Sequence, residues 1–248
     1  MRNIVYSFLL LALMAVTGCD KSSNSAASAN SSSNSANGSL TRFITVGNYL
    51  YMVDNSSLKT YSIAAPANPV FKASVNVGFA IETIFPYQDK LFIGSSSAMY
   101  IYSISNPENP AFVSQVAYFV RGRDPIVAID SVAYSTVRNV NFPGGVLNVF
   151  NIKNISQPQN VRIHNLQNPY GLGLKDSALY VCEAEAGLRI FNIKNTYLPA
   201  ERSLFTNNET YYDVIVQGNM LICYIKGGLS FVDITNLFNP VLIATVKN

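Results

Sequence analysis

The chain has no tryptophan, a single histidine and three cysteines in 248 residues, and only 12% of it is charged. That charged share is about half of the roughly 25% usual in soluble domains. A formal charge of +3 excludes a strongly basic nucleic-acid binder, whose affinity comes from neutralising many phosphates. A hydrophobic share of 49% excludes a disordered chain, which needs high charge and few apolar residues. The lone His164 has no metal-spaced Cys or His cluster around it and is expected to face solvent on a strand. No phosphate loop, GxSxG or GxGxxG occurs, and Pro143-Gly144-Gly145 lacks the Lys and Ser/Thr that cradle phosphates. No cofactor is therefore expected. Aromatic mass comes from 15 tyrosines and 14 phenylalanines alone.

No apolar run is long enough for a membrane helix, which needs about 20 residues. Ile4 to Val16 is a shorter apolar stretch behind Arg2, the pattern of a signal-peptide core. It leads into Val16-Thr17-Gly18-Cys19, which resembles the lipobox of bacterial lipoproteins. The likeness implies a signal peptide over 1–18, cleavage before Cys19 and diacylation of its sulfur. Several acyl chains hold a protein in a membrane where one does not, since each buried CH₂ contributes about 0.8 kcal/mol. Residues 19–38 are Ser- and Asn-rich, with nothing charged or large from Ser22 onward. They read as a flexible tether with a reach of about 25 Å.

From 39 to 248 one pattern recurs five times. Its clearest element is an apolar strand closed by Ile: Leu58 to Ile63, Met99 to Ile104, Leu147 to Ile152, Leu188 to Ile193, and Leu229 to Ile234. The closing isoleucines are 41, 48, 41 and 41 residues apart, and a proline follows each by six (Pro69, Pro110, Pro158, Pro199, Pro240). Periods of 40–45 with several short strands indicate propeller blades. The last unit reads as strands Val214–Val216, Leu221–Tyr224, Leu229–Ile234 and Val241–Val246, with Gly, Asn and Pro turns between them. The predicted fold is all-β, a five-bladed β-propeller of four antiparallel strands per blade, closed into a ring. Two-sided packing of each blade accounts for the low charge.

The hexapeptides Leu188-Arg189-Ile190-Phe191-Asn192-Ile193 and Leu229-Ser230-Phe231-Val232-Asp233-Ile234, with the turn Asn106-Pro107-Glu108-Asn109-Pro110, resemble the LVIVD-repeat family of bacterial β-propellers. Members are largely secreted or surface proteins without a defined activity. The resemblance implies a fold and a compartment rather than a reaction.

With the four strands of each blade labelled a to d in chain order, antiparallel order puts the a–b and c–d turns of every blade on one face of the ring. The a–b turns are near-uniform (Gly47-Asn48, Gln88-Asp89, Asp130-Ser131, Asp176-Ser177, Gly218-Asn219) and read as structural. Ser62, Ser103, Asn151, Asn192 and Asp233 share one repeat position and are expected to cap the c–d turns. The other face is irregular. It carries Glu183-Ala184-Glu185, Lys226-Gly227-Gly228 and an insertion within Val137 to Gly145. Its d–a loops carry Arg42, Glu82, Arg121, Arg123, Asp124, Tyr170, Tyr211, Tyr212 and Asp213. Variable loops on a rigid scaffold are where binding concentrates, so these nine residues, ringing the mouth of the central channel, are the candidate binding site. Cys182 and Cys223 lie one register apart in neighbouring blades and are expected as buried free thiols, facing each other or facing away.

The expected function is that of a lipid-anchored cell-envelope protein, in the outer membrane on its periplasmic or surface-facing side. Its propeller binds a protein or glycan partner without catalysing a reaction, and it binds no nucleic acid. The alternatives are a structural scaffold of the envelope, or a glycoside hydrolase using Glu82, Asp124 and Asp213 as paired acids at the channel mouth.

Overall fold

The computed structural model describes residues 38–118, 122–123, 125–139 and 144–247, with 122–123 as backbone alone. Cys19, the signal peptide and most of the tether lie outside the described residues. Strands are the regular elements throughout. Blade 1 is β1 (Phe43–Val46), β2 (Tyr49–Val53), β3 (Ser57–Ser62) and β4 (Val70–Asn76). Blade 2 is β5 (Ile81–Tyr87), β6 (Lys90–Ser95), β7 (Ala98–Ser103) and β8 (Ala111–Ala117). Blade 3 is β10 (Ile126–Ile129), β11 (Val132–Asn139), β12 (Gly145–Asn151) and β13 (Gln159–Leu166), with the short β9 (Gly122–Arg123) added alongside β11. Blade 4 is β14 (Leu172–Lys175), β15 (Ala178–Cys182), β16 (Leu188–Asn192) and β17 (Ala200–Phe205). Blade 5 is β18 (Tyr211–Gln217), β19 (Met220–Ile225), β20 (Gly228–Asp233) and β21 (Val241–Lys247). Each blade is an antiparallel meander, so the five-bladed propeller read from the repeats is the fold.

The repeat is kept at the level of single hydrogen bonds. The first residue of every a–b turn is left-handed: Gly47, Gln88, Asp130, Asp176 and Gly218 have φ between 49° and 59°. The second turn residue accepts from the closing isoleucine of the same blade, at 2.7 Å for Ile63 N to Asn48 O and 2.9 Å for Ile234 N to Asn219 O. This bond ties each a–b turn to its c–d turn on one face of the ring. Asn151, Asn192 and Asp233 cap the c–d turns, accepting from the backbone two residues on at 2.7–2.9 Å, and Ser103 does so at 3.3 Å. A β-bulge interrupts all five c–d pairings at the same repeat position, which strengthens strand twist.

Blades are joined by period-2 alternation: one face of each sheet meets the blade before it, the other the blade after. Tyr51, Tyr134 and Tyr180 share one position on strand b, point toward the following blade and are fully buried. Each hydroxyl donates to a c–d turn carbonyl of that blade: Tyr51 to Pro107 at 2.8 Å, Tyr134 to Thr196 at 2.5 Å and Tyr180 to Leu237 at 3.0 Å. Burial pushes the acidity of all three phenols down, raising their pKa well above the usual value. Cys182 and Cys223 lie in the same apolar cluster between blades 4 and 5, as two buried free thiols. His164 differs from expectation. It is half-buried, packed edge-on to Phe191 with ring centroids 5.8 Å apart, and burial lowers its pKa.

The seam between the last and first blades is packed less tightly than the other boundaries: Leu229 is 39% exposed where its counterparts Leu58, Met99, Leu147 and Leu188 are 0%. Four apolar clusters fill the boundaries between blades 1 and 2, 2 and 3, 3 and 4, and 4 and 5. Among the described residues none joins blade 5 to blade 1. Ser39 and Leu40 bridge that seam at the channel by bonding to Asp213 of β18.

Candidate functional site

The mouth of the channel is built from one repeat position just ahead of, or at the start of, strand a. Glu82 and Tyr212 are the extra residues of bulges that shift the register between Ile81 and Thr83 and between Tyr211 and Asp213. A bulge re-aims the side chain it carries, and here both line a cavity of about 420 Å³. Tyr170, one repeat earlier, joins them. Its backbone is clamped by Thr136 Oγ1 donating to its carbonyl at 2.5 Å and by its N–H donating to Cys182 O at 2.7 Å. Arg42 completes the set of expected residues in the cavity wall.

Other residues of the wall escaped the sequence reading. Arg138, near the end of the lengthened β11, stacks its guanidinium 4.2 Å from the Tyr170 ring centroid. Its Nη1 donates to the Tyr170 hydroxyl at 2.5 Å, while its Nε is buried without a partner. Tyr224 extends an aromatic row: Tyr170 and Tyr212 lie 5.1 Å apart, and Tyr212 and Tyr224 5.6 Å. Leu40, Thr83, Pro125 and Pro169 fill the rest. Arg138 and Tyr224 come from strand b, not from the d–a loops. Only the extra length of β11 hinted at Arg138.

Two expected residues are elsewhere. Tyr211 is wholly buried in the cluster between blades 4 and 5, its hydroxyl donating to Asn207 Oδ1 at 2.8 Å. The bulge at Tyr212 reverses the alternation, so Tyr211 turns inward where its neighbour turns out. Asp213 lies beneath the mouth, enclosed where Gly38 and Gly171 leave no room for a side chain. It accepts from Ser39 Oγ at 3.2 Å, Leu40 N at 3.4 Å and Val214 N at 2.9 Å. Burial pushes its carboxyl up to about 6. Arg121 and Asp124 lie outside the described residues. Arg123 belongs to β9, opposite Arg138. Of the three acids considered for glycoside hydrolysis, Glu82 lines the cavity, Asp213 is enclosed beneath it and Asp124 lies outside the described residues.

The b–c loop of blade 4 is also not a free surface. Glu183 is fully buried, paired with Arg189 and accepting from Gln167 N at 2.7 Å. Arg189 also reaches Glu201 at 2.6 Å. Among the described residues no group of three or more His, Cys, Asp and Glu could hold a metal.

No family model matches the chain, and no curated protein matches its sequence. Solved structures match its fold. A periplasmic gluconolactonase from Pseudomonas aeruginosa shares 14% identity over 81% of this chain and 68% of its own, with a TM-score of 0.65. A luciferin-regenerating enzyme shares 15% over 81% of this chain and 72% of its own, at 0.57. BamB from Moraxella catarrhalis shares 8% over 74% of this chain and 53% of its own, also at 0.57. The chain thus spans about half to three quarters of the length of these neighbours. At such identities the likeness is one of fold. Two of the three are named enzymes, and this corrects the expectation that the chain is not an enzyme: its fold is shared with catalysts.

Proposed function

We propose that this chain is a cell-envelope lipoprotein, anchored through Cys19, whose LVIVD-like propeller binds an acidic glycan at the channel mouth. The carrying observation is the cavity wall itself. Tyr170, Tyr212 and Tyr224 form a continuous aromatic row, and among the described lining residues Arg42 and Arg138 stand against one acid, Glu82. Aromatic faces take the apolar C–H faces of sugar rings at small entropy cost. Guanidinium groups pair with carboxylates in a bidentate manner, and Arg42 and Arg138 both line the cavity. A volume of about 420 Å³ is within the usual range of small-ligand sites. The envelope location rests on the lipobox-like Val16-Thr17-Gly18-Cys19 and agrees with the periplasmic naming of one fold neighbour.

The test is calorimetric titration with uronic-acid oligosaccharides and their neutral counterparts. Acidic sugars should bind the protein, and Tyr212→Ala or Arg138→Gln should weaken them by about tenfold or more. Equal binding of neutral sugars, or no binding of either, overturns the glycan reading. Separately, Cys19→Ser should move the protein from the membrane to the soluble fraction, and retention in the pellet overturns the anchor.

A further inference from the structure

The N-terminal chain joins the propeller at the channel mouth. In the other blades a loop from the blade before leads into strand a; in blade 1 residues 38–42 take its place. Ser39 is buried there. Its hydroxyl donates to Asp213 of blade 5 at 3.2 Å and accepts from Leu172 N of blade 4 at 2.7 Å, and Leu40 N donates to Asp213 at 3.4 Å. Leu40 and Arg42 then line the cavity itself. The segment that leads back to Cys19 therefore leaves the fold from the wall of the candidate site, pinned to blades 4 and 5.

That exit decides which face of the ring an anchor at Cys19 brings to the membrane. To turn the opposite face to lipid, the tether has first to cross a blade and run down its outer side. Three strand spacings take about 14 Å and a seven-residue strand such as β4 about 23 Å. Together they exceed the tether's expected reach of about 25 Å. From the mouth face the same tether meets lipid directly.

The mouth face also carries Phe79, at 83% the most exposed of the described large hydrophobic side chains. It stands on the loop from blade 1 to blade 2, which is tied down on both sides. Val77 N donates to Ser56 O at 2.8 Å, Ile81 N to Asn55 O at 3.1 Å and Ser96 N to Ala80 O at 3.1 Å. Ala80 is left-handed at φ 50°, a conformation that a non-glycine residue keeps only where its surroundings impose it. A Cβ on Gly78 would meet the Tyr100 hydroxyl at 2.6 Å, so the loop sits close against blade 2. A bare phenyl ring on a fixed loop is the kind of group that enters the boundary between lipid headgroups and acyl chains.

We propose that the mouth faces the membrane holding the Cys19 anchor, with Phe79 entering its interface, and that the acidic sugar it binds is the headgroup of a lipid in that membrane. This rests on the anchor and glycan readings and adds to them the face of the ring and the source of the sugar. Tethering beside the bilayer raises the effective concentration of such a headgroup at the mouth without any new contact.

The test uses the mature lipidated chain in phosphatidylcholine vesicles that carry a nitroxide quencher at the headgroup level. A dye is attached to Phe79→Cys or, on the opposite face, to Leu198→Cys, whose native side chain is 48% exposed. Cys182 and Cys223 are buried and stay unlabelled, and unchanged thermal melting checks that both variants fold. The dye at 79 is expected to be quenched severalfold more than the dye at 198. Adding a uronosyl diacylglycerol to the vesicles should increase the quenching at 79, and Arg138→Gln should remove that increase. Equal quenching at the two positions, or more at 198, overturns the proposal. So does a protein that binds free uronic-acid oligosaccharides yet shows no change with the glycolipid, which would mean that the sugar is taken from solution. The underlying readings fail by other signs, and the proposal with them: no binding of the free oligosaccharides removes the glycan, and a mature chain whose mass lacks acyl groups removes the anchor.

Discussion

Asp213 of the last blade holds the hydroxyl of Ser39 at 3.2 Å across 174 residues of sequence, and together with Leu40 N this ties the seam between the last and first blades. Ser39 in turn accepts from Leu172 N at 2.7 Å, so one carboxylate organises three segments at the channel.

The tie should be visible in the pH dependence of stability. Burial pushes Asp213 up to about 6, above the roughly 3.9 of an unfolded aspartate. The folded state then holds this proton more tightly than the unfolded state. Its contribution is fully present below pH ~4 and is lost as the pH rises to about 6, by up to ~3 kcal/mol. Asp213→Asn should flatten that part of the profile. Urea unfolding midpoints at pH 4 and pH 6.5 for both proteins decide it, and an identical slope in the variant would refute the assignment.

The Tyr180 hydroxyl donates across a blade boundary to the carbonyl of Leu237 at 3.0 Å. Tyr180→Phe keeps the ring and leaves that carbonyl unpaired, at an expected cost of about 1–2 kcal/mol. The corresponding position of blade 2 is already Phe92, so the ring shape is compatible with the fold. Chemical denaturation of the variant measures the loss, and no loss would mean that water replaces the bond.

The thiols of Cys182 and Cys223 are wholly buried. Burial raises Cys182 well above its usual range and pushes Cys223 up to about 12. Neither should react with a thiol reagent at pH 8 in the native protein, because the thiolate is the reactive form. Both should react after unfolding without reductant. With Cys19→Ser as background, two labels per chain are expected by mass spectrometry, and zero would indicate a disulfide.

Much of the architecture was legible because its signals are local. The spacing of the closing isoleucines, the two-residue turns and the Asx caps each depend on residues a few positions apart, and the blade number and strand order follow from them. The mouth residues Arg42, Glu82, Tyr170 and Tyr212 were legible for the same reason, as a repeat position next to strand a. Tyr211 and Asp213 were misplaced because a single bulge residue inverts the inward and outward alternation around it. Arg138 and Tyr224 were missed because their blades bring them to the mouth from strand b.

What the sequence by itself determined is therefore the unit: a four-stranded blade, repeated five times, with its turns and caps. Only the tertiary structure decided how the units meet. Cys182 and Cys223 lie one register apart in the sequence, which leaves them facing each other or facing away, and the structure puts both in the one cluster between blades 4 and 5. Leu188 and Leu229 are the same amino acid at the same repeat position, one wholly buried and the other 39% exposed. The physical reason is that burial belongs to the boundary and not to the blade: each sheet supplies half of an interface, and the arc of the ring determines whether another sheet supplies the rest.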